Sequence, residues 1–516
     1  MASQLLRCKS IDKLLADADE PEHRLRKSLG PWSLTALGIG AIIGTGIFIL
    51  TGTAASGQTQ LVPSIWNAAP LDLLLHGRNA VGTTGRLGAG PAIALSFLLV
   101  AFACALAGLC YAELASMIPI AGSAYTYTYA TLGELVAWII GWDLILEYAV
   151  SNMAVAVGFS DYVNSLLDGF GIHIPKHFAE PIFRSGVRTG AYFNVMGFLV
   201  VMILTVLLVR GIRESAGANS IMVSIKIAAI LIFIFAASRY VHPANWKPFM
   251  PNGWQGVLTG GAIVFFTYIG FDSVSTAAEE TRNPQKDVPF GIIASLIVCT
   301  ILYISVAVIL TGIQHWKTLD NDAPVANALH AIGLTGVERW VTVGALTGML
   351  SSLLVYQLGQ ARVWYSMSRD GLLPRFFSNV HPRFRTPHVS TWVAGFFVAI
   401  PAGVFDVPEL ANLSNIGTLF AFILVSLGVL VLRKKEPERH RGFRAPLVPA
   451  LPIAAIFCCL VLMASLPLES WVRLFIWLTI GLTIYFTYSR HRSEFGRSPR
   501  ESGAATSYAA SKHGDR

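Results

Sequence analysis

Apolar residues along this chain gather into unbroken runs of about 20, separated by short polar stretches. A run of that length spans a hydrocarbon core of about 30 Å as a helix. Twelve runs are read, over 34–52, 91–118, 131–161, 192–212, 218–238, 254–280, 288–313, 338–368, 389–405, 411–432, 446–465 and 469–489. Lipid cannot satisfy backbone N–H and C=O groups, so each run must satisfy its own as a helix. The pattern predicts an all-α membrane protein of about twelve transmembrane helices. Residues 1–30 read as a polar N-terminal tail and 31–489 as one membrane domain. Residues 490–516, rich in Ser, Arg and Gly, read as a disordered tail.

Two connections are too long for tight turns. The stretch 53–90, with Pro63, Trp66, Asn67 and glycines from Gly82 to Gly90, is expected to be an extended external loop with short helices. Within 314–337, the amphipathic stretch Pro324 to Ile332 predicts a re-entrant or surface helix over the external mouth.

Composition sharpens this picture. The chain has 516 residues, 54% hydrophobic and 13% charged, against about a quarter charged in ordinary soluble domains. The net charge of +8 raises the question of nucleic acid, but the basic residues sit in short loops between apolar runs. One set of alternate loops carries Arg210 and Arg213, Arg282 and Lys286, then Arg369, Arg375, Arg383 and Arg385, and finally Arg433 to Arg444. That bias places those loops and both tails in the cytoplasm, and argues for a lipid partner and no nucleic acid. The six cysteines lack metal-ligand spacing and fall mostly in apolar runs, where Cys behaves as a small hydrophobe. No cleaved signal peptide is read at the N-terminus. There is no phosphate loop, no histidine-rich metal cluster and no nucleophile–base pair, so an enzyme is not expected.

The candidate chemistry lies inside the membrane. Gly38, Gly40, Gly44 and Gly46 crowd the middle of the first run. Glycine is a weak helix former, and this density predicts a break at mid-membrane. A break frees backbone groups, which are tolerated only where they face a cavity or ligand. The N-terminal end of a second half-helix carries free amides and partial positive charge, suited to a carboxylate. The alternative is close helix packing through small residues. The sixth run repeats the theme around Phe265 to Ser273, with Gly270 at its centre. Breaks five spans apart point to an inverted repeat with its site at the midplane. Freed carbonyls there suit an ammonium, so the two breaks together describe a site for a zwitterion.

These residues resemble the amino acid–polyamine–organocation superfamily, in its cationic amino acid transporter branch of bacterial type. The Gly44-Thr45-Gly46 stretch resembles its first-helix motif. The run Gly270 to Pro284, with Glu279-Glu280-Thr281-Arg282-Asn283-Pro284, resembles its sixth helix and following loop. Gly141 to Tyr148 resembles the third helix, and Gly359 to Arg362 through Met367 to Pro374 the end of the eighth. The likeness covers about residues 25–490. It implies two inverted five-helix repeats plus two further helices, discontinuous first and sixth helices, and alternating access. The loop 53–90 is longer than the resemblance leads one to expect.

Lys226 sits inside the fifth run, where a charge is costly and is usually functional. Desolvation disfavours a charged amine, so such a lysine can gain and lose a proton during a cycle. Snorkelling to the interface is the structural alternative. The resemblance implies that Lys226 takes the place of sodium, while Ser351 and Ser352 on the eighth run keep sodium open as an alternative ion. Glu147, deep in the third run, is expected to balance Lys226, hold a proton or meet a cationic substrate, or else to anchor another helix. Asp143 lies one turn earlier on the same face. Glu113 reads as a gate or an ion-pair residue, and Asp272 as a cap for the second half of the sixth helix. Among Phe266, Tyr268 and Phe271, Phe266 is the expected gate, and Met349 is a candidate for narrowing the pocket.

The expected function is secondary transport of amino acids with protons. Gly44, Thr45 and Gly46 would hold the carboxylate. Carbonyls of Ile42, Phe266 and Ile269, beside Gly270, would hold the ammonium. The driving force is a proton gradient, with no bound cofactor or metal and no obligatory protein partner. An amino acid or polyamine exchanger without net proton coupling is one alternative, and a non-transporting amino acid sensor another. Localisation in a cytoplasmic membrane, multi-pass with both termini inside, completes the expectation.

Overall fold

The computed structural model describes residues 5–19, 27–61, 85–168, 171–184, 187–321, 323–405 and 407–493. The central part of the long external loop and most of the last 27 residues lie outside them, and with them the expectations for those segments.

The molecule is built from helices. A short helix α1 (Ile11–Asp19) precedes α2 (Pro31–Ile42), which opens on a proline at its first turn, where a missing N–H costs nothing. A break follows, and α3 (Gly46–Ser56) continues at 41° to α2. Then come α4 (Gly90–Met117), α5 (Ala124–Thr131), α6 (Glu134–Asp168), α7 (Val195–Arg210) and α8 (Ile212–Ala237). The interrupted α9 (Gly253–Thr276) leads to α10 (Pro284–Ile313), α11 (Pro324–Ala331) and α12 (Thr335–Arg369). The chain ends through α13 (His388–Ala402), α14 (Val407–Lys435), α15 (Ala450–Ala464) and α16 (Leu468–Ile484). Among the described residues, eight helices are long and apolar enough to cross a membrane, and the bent pair α2–α3 makes a ninth. Three shorter apolar helices, α7, α13 and α15, stand where runs were read. This is a multi-pass helical membrane protein.

Parts of both long connections are described. Within the loop read over 53–90, residues 53–56 still belong to α3, and beyond them the described residues form a small antiparallel ribbon, β1 (Gly57–Leu61) with β2 (Gly85–Leu87). The stretch from 324 does form a helix, and it is amphipathic as read: Val325, Ala328 and Leu329 are buried, while Asn327 and His330 are exposed. It packs on α3 and α12.

The core lies between tilted helices rather than in layers. α10 lies along α4 and α2, α6 along α12 and α14, and α8 along α12 and α2. α16 is held to α6 by a tryptophan clasp. Trp142 and Trp477 stack at 4.4 Å, and each indole N–H donates to the other residue's carbonyl at 2.9 and 3.0 Å. Lipid offers no hydrophobic drive for helix association, so such paired hydrogen bonds and stacking carry this contact.

Buried ion pairs tie one face together. Glu113 receives Arg433 at 2.7 Å and Arg441 at 3.1 Å, with the Ala445 N–H at 2.8 Å. Of its two expected roles, the structure gives it the ion pair. Arg369 pairs with Glu279 at 3.0 Å, and Arg362 with Glu280 at 2.5 Å. Lys9 reaches Asp370 at 2.9 Å, and at the surface Arg439 reaches the exposed Asp12 at 2.6 Å. Ser28 and Leu29 donate their amides to the Glu280 carbonyl. The N-terminal segment and the loops after α9, α12 and α14 therefore share one face of the molecule.

Candidate functional site

Ile43 takes extended backbone (φ −84°, ψ 91°), which ends α2 and leaves its last carbonyls without intrahelical partners. Each buried carbonyl then needs another donor. The Lys226 ammonium, fully buried on α8, donates to Ile39 O at 2.8 Å, Gly40 O at 3.0 Å and Ile43 O at 2.9 Å. Ser351 Oγ on α12 lies 2.7 Å from the same nitrogen. Ser352 donates to Gly40 O at 2.8 Å. The ammonium thus sits at the C-terminal, partly negative end of a half-helix, where a cation is favoured. Among the described residues no carboxylate lies at ion-pair distance from it. Lys226 is joined to carbonyls and a serine, and not to Glu147.

The second break begins after a tightened turn, Phe265–Tyr268. Ile269 turns extended and Gly270 takes φ 119°, in the left-handed region that favours glycine. A Cβ on Gly270 would meet Ala41 Cβ at 2.6 Å, and one on Gly46 would meet Thr267 Cα at 2.9 Å. The two breaks therefore pack directly on each other, and glycine is what allows it. Gly44 lies as close to Ser352. Thr45 begins α3 with its hydroxyl buried and without a hydrogen bond in the protein, and its methyl lies against Gly158 of α6.

Of the three carbonyls read as ammonium acceptors, two also take tyrosine hydroxyls. Tyr303 of α10 approaches Ile42 O at 2.7 Å, and Tyr356 of α12 donates to Ile269 O at 2.8 Å. Phe266 O accepts the Ile269 N–H at 3.3 Å. Ile42 O also accepts the Gly44 N–H at 3.1 Å, so both its lone pairs are used, whereas Ile269 O retains a second acceptor direction. The sequence reading missed both tyrosines. Their only signal was a polar tip within an otherwise apolar run.

Phe266 is buried and enters no ring pair among the described residues. By contrast, Tyr268 packs on Phe97 and Tyr303, and Phe271 packs on Tyr111 and Phe422. Met349, Ser352 and Tyr356 share one face of α12, which the contacts of Ser352 and Tyr356 direct at the two breaks.

The acidic residues form a separate group. Both oxygens of Glu147 are buried, with the Thr418 hydroxyl beside them, and its charged neighbours are Asp272 and Asp143. Asp272 accepts the Tyr148 hydroxyl at 2.5 Å on one oxygen and makes no side-chain cap to Ser273–Thr276. Asp143 lies against Gly417 of α14.

The family model described as amino acid permease matches residues 29–488. The chain is 47% identical to a branched-chain amino acid permease of Bacillus subtilis (strain 168), over 96% of this chain and all of that protein. It is 44% identical to a methylthioribose transporter of the same organism, over 95% of this chain and 99% of the relative. It is 36% identical to a vacuolar cationic amino acid transporter of Arabidopsis thaliana, over 84% and 68% respectively. These relatives are named as transporters and permeases, not enzymes. Two broken helices packed break to break, in a chain matched along nearly its whole membrane domain, make this protein a member of the amino acid permease family of the amino acid–polyamine–organocation superfamily.

Proposed function

We propose that this protein imports amino acids with apolar side chains across a cytoplasmic membrane, by alternating access and with protons. The observation that carries the coupling is the Lys226 ammonium, which bridges the end of α2 to α12 through Ile39, Gly40, Ile43 and Ser351. A buried amine can lose its proton. When it does, its charge-assisted hold on the α2 carbonyls weakens, and α2 is released from α8 and α12. Proton loss and helix movement are then one event. Sodium is not needed in this reading, because the ammonium supplies the positive charge that the carbonyls and serine hydroxyls receive.

The substrate carboxylate would meet the amides of Gly44, Thr45 and Gly46 at the start of α3, with the Thr45 hydroxyl. Its ammonium would use the Phe266 and Ile269 carbonyls, near Gly270, and would reach the Ile42 carbonyl by displacing one of its two present donors, Tyr303 or the Gly44 N–H. Phe266 would close the site. Met349, on the face of α12 directed at the breaks, favours an apolar side chain, in keeping with the name of the 47% relative. Glu147 would hold a second proton. Twelve spans in two inverted five-helix repeats plus two, with both termini cytoplasmic, complete the proposal. The basic loops and the N-terminal segment share one face, which supports it.

Purified protein in liposomes tests this. Labelled leucine, alanine, arginine and methylthioribose are offered under an inward proton gradient without sodium, with empty vesicles as control. Leucine accumulation that an ionophore collapses is expected. Uptake only into vesicles preloaded with amino acid would make the protein an exchanger, and binding without uptake would make it a sensor. Preferred uptake of methylthioribose would move the substrate to the class named for the 44% relative.

A further inference from the structure

In the transport scheme above, Lys226 is the hold of α8 on α2 that depends on a proton. Asn219 lies about two turns earlier on the same stripe of α8 and makes a second hold of different chemistry. Its Nδ2 amide donates to Ala36 O at 3.0 Å, one turn further from the break than the Gly40 carbonyl that accepts from Lys226. A Cβ on Gly40 would meet Asn219 Oδ1 at 2.6 Å and Nδ2 at 3.0 Å, so the amide rests against α2 where Gly40 leaves it room. Asn219 is buried, and its Oδ1 has no hydrogen bond in the protein. Burying an unpaired acceptor costs free energy that an apolar side chain of the same size would not. What the amide supplies in return is its donor to Ala36. On another side of α2, Gly38 admits Ser295 of α10 by close packing, but that hydroxyl returns to Ile292 O of its own helix. The half-helix α2 is thus held to α8 at its middle by a neutral amide and at its broken end by an ammonium.

We propose that Asn219 is a positioning residue for coupling, a tether indifferent to protonation that keeps α2 on α8 while Lys226 is charged and so suppresses release of α2 without proton loss. The inference rests on the proton-coupling reading of Lys226. It assigns Asn219 no contact with substrate. Both holds must let go for α2 to leave, and the proton switches the ammonium alone. Removing the amide shifts release by the same factor at every pH. The shift shows where release is the unfavourable state, with the lysine protonated at acid pH. At alkaline pH the lysine is neutral and α2 is already free to move.

Leucine counterflow in liposomes, with the same pH on both sides, is compared at acid and alkaline pH for wild type and Asn219→Leu, which fills the space without the donor. The melting temperature of each protein in detergent is measured beside it. Wild-type counterflow is expected to rise with pH. The variant at acid pH is expected to run roughly three- to tenfold faster than wild type, the factor of one lost hydrogen bond, with its alkaline rate within about twofold. A ratio of alkaline to acid rate that matches wild type overturns the inference, whether or not the melting temperature falls, because a purely structural asparagine changes stability or scales both rates alike. Loss of counterflow at every pH by a folded variant overturns it as well. If Asn219→Leu does not fold, Asn219→Ser turns its hydroxyl to its own helix and loses the same tether, and the same ratio decides. A wild type whose counterflow is indifferent to pH overturns the proton-coupling reading and this inference with it. A wild type with the expected rise, and a variant that keeps it, overturns this inference alone.

Discussion

The Lys226 ammonium lies 2.7 Å from the Ser351 hydroxyl, and through that contact α8 and α12 grip the same turn of α2. Ser351 donates in turn to Gly348 O at 2.8 Å, so its oxygen is oriented to accept from the lysine. Replacing Lys226 with methionine removes the cation and leaves the carbonyls of Ile39, Gly40 and Ile43 without it. Proton-driven accumulation of leucine in liposomes is expected to fall to the level of empty vesicles. Retained accumulation at the wild-type rate would exclude the lysine from coupling.

The contact between the two breaks makes a second expectation. Gly270→Ala places a side chain at φ 119° and 2.6 Å from Ala41 Cβ. The left-handed backbone alone costs about 1–2 kcal/mol, before any clash. Gly46→Ala meets backbone at 2.9 Å and cannot be relieved by a rotamer change. Both variants are expected to lose leucine uptake while keeping most of their helix content by circular dichroism. Normal uptake by either would show that the breaks separate more easily than the packing implies.

Glu113 concerns stability rather than transport. Its carboxylate is buried beneath two arginines and an amide. Glu113→Gln leaves Arg433 and Arg441 short of a counter-charge, and breaking a buried pair costs on the order of 3 kcal/mol. The melting temperature in detergent should drop clearly. The leucine KM of surviving protein should not move, because this cluster lies on the face of the ion pairs and not at the breaks.

The tryptophan clasp should behave in the same way. Trp477→Ala removes the stack on Trp142 and one hydrogen bond between α6 and α16, that of its indole N–H to Trp142 O, while its backbone carbonyl can still accept from the Trp142 indole. Loss of a large buried aromatic costs about 3 kcal/mol at the lower end of its range, apt for a half-buried ring. A lowered melting temperature with unchanged KM is expected. A changed KM would mean that α16 is coupled to the transport cycle.

Much of this architecture was legible along the chain. Helices were readable because lipid demands that each apolar run satisfy its own backbone. The breaks were readable because glycine density in such a run has few other causes, and Lys226 because a lone charge there is expensive. These are local properties, carried by composition within a few turns. Pairing was a different matter. No periodicity shows that Lys226 faces Ile43 rather than Glu147, that Asp272 accepts from Tyr148 instead of capping a helix, or that Tyr303 and Tyr356 reach the carbonyls of the breaks. Glu279 and Glu280 stood beside one another in sequence, but their partners Arg369 and Arg362 lie 90 and 82 residues away. Such contacts are decided by how helices tilt and which faces meet. Several faces of a nearly uniform apolar helix look alike until its neighbours are in place, so only the tertiary structure could assign them.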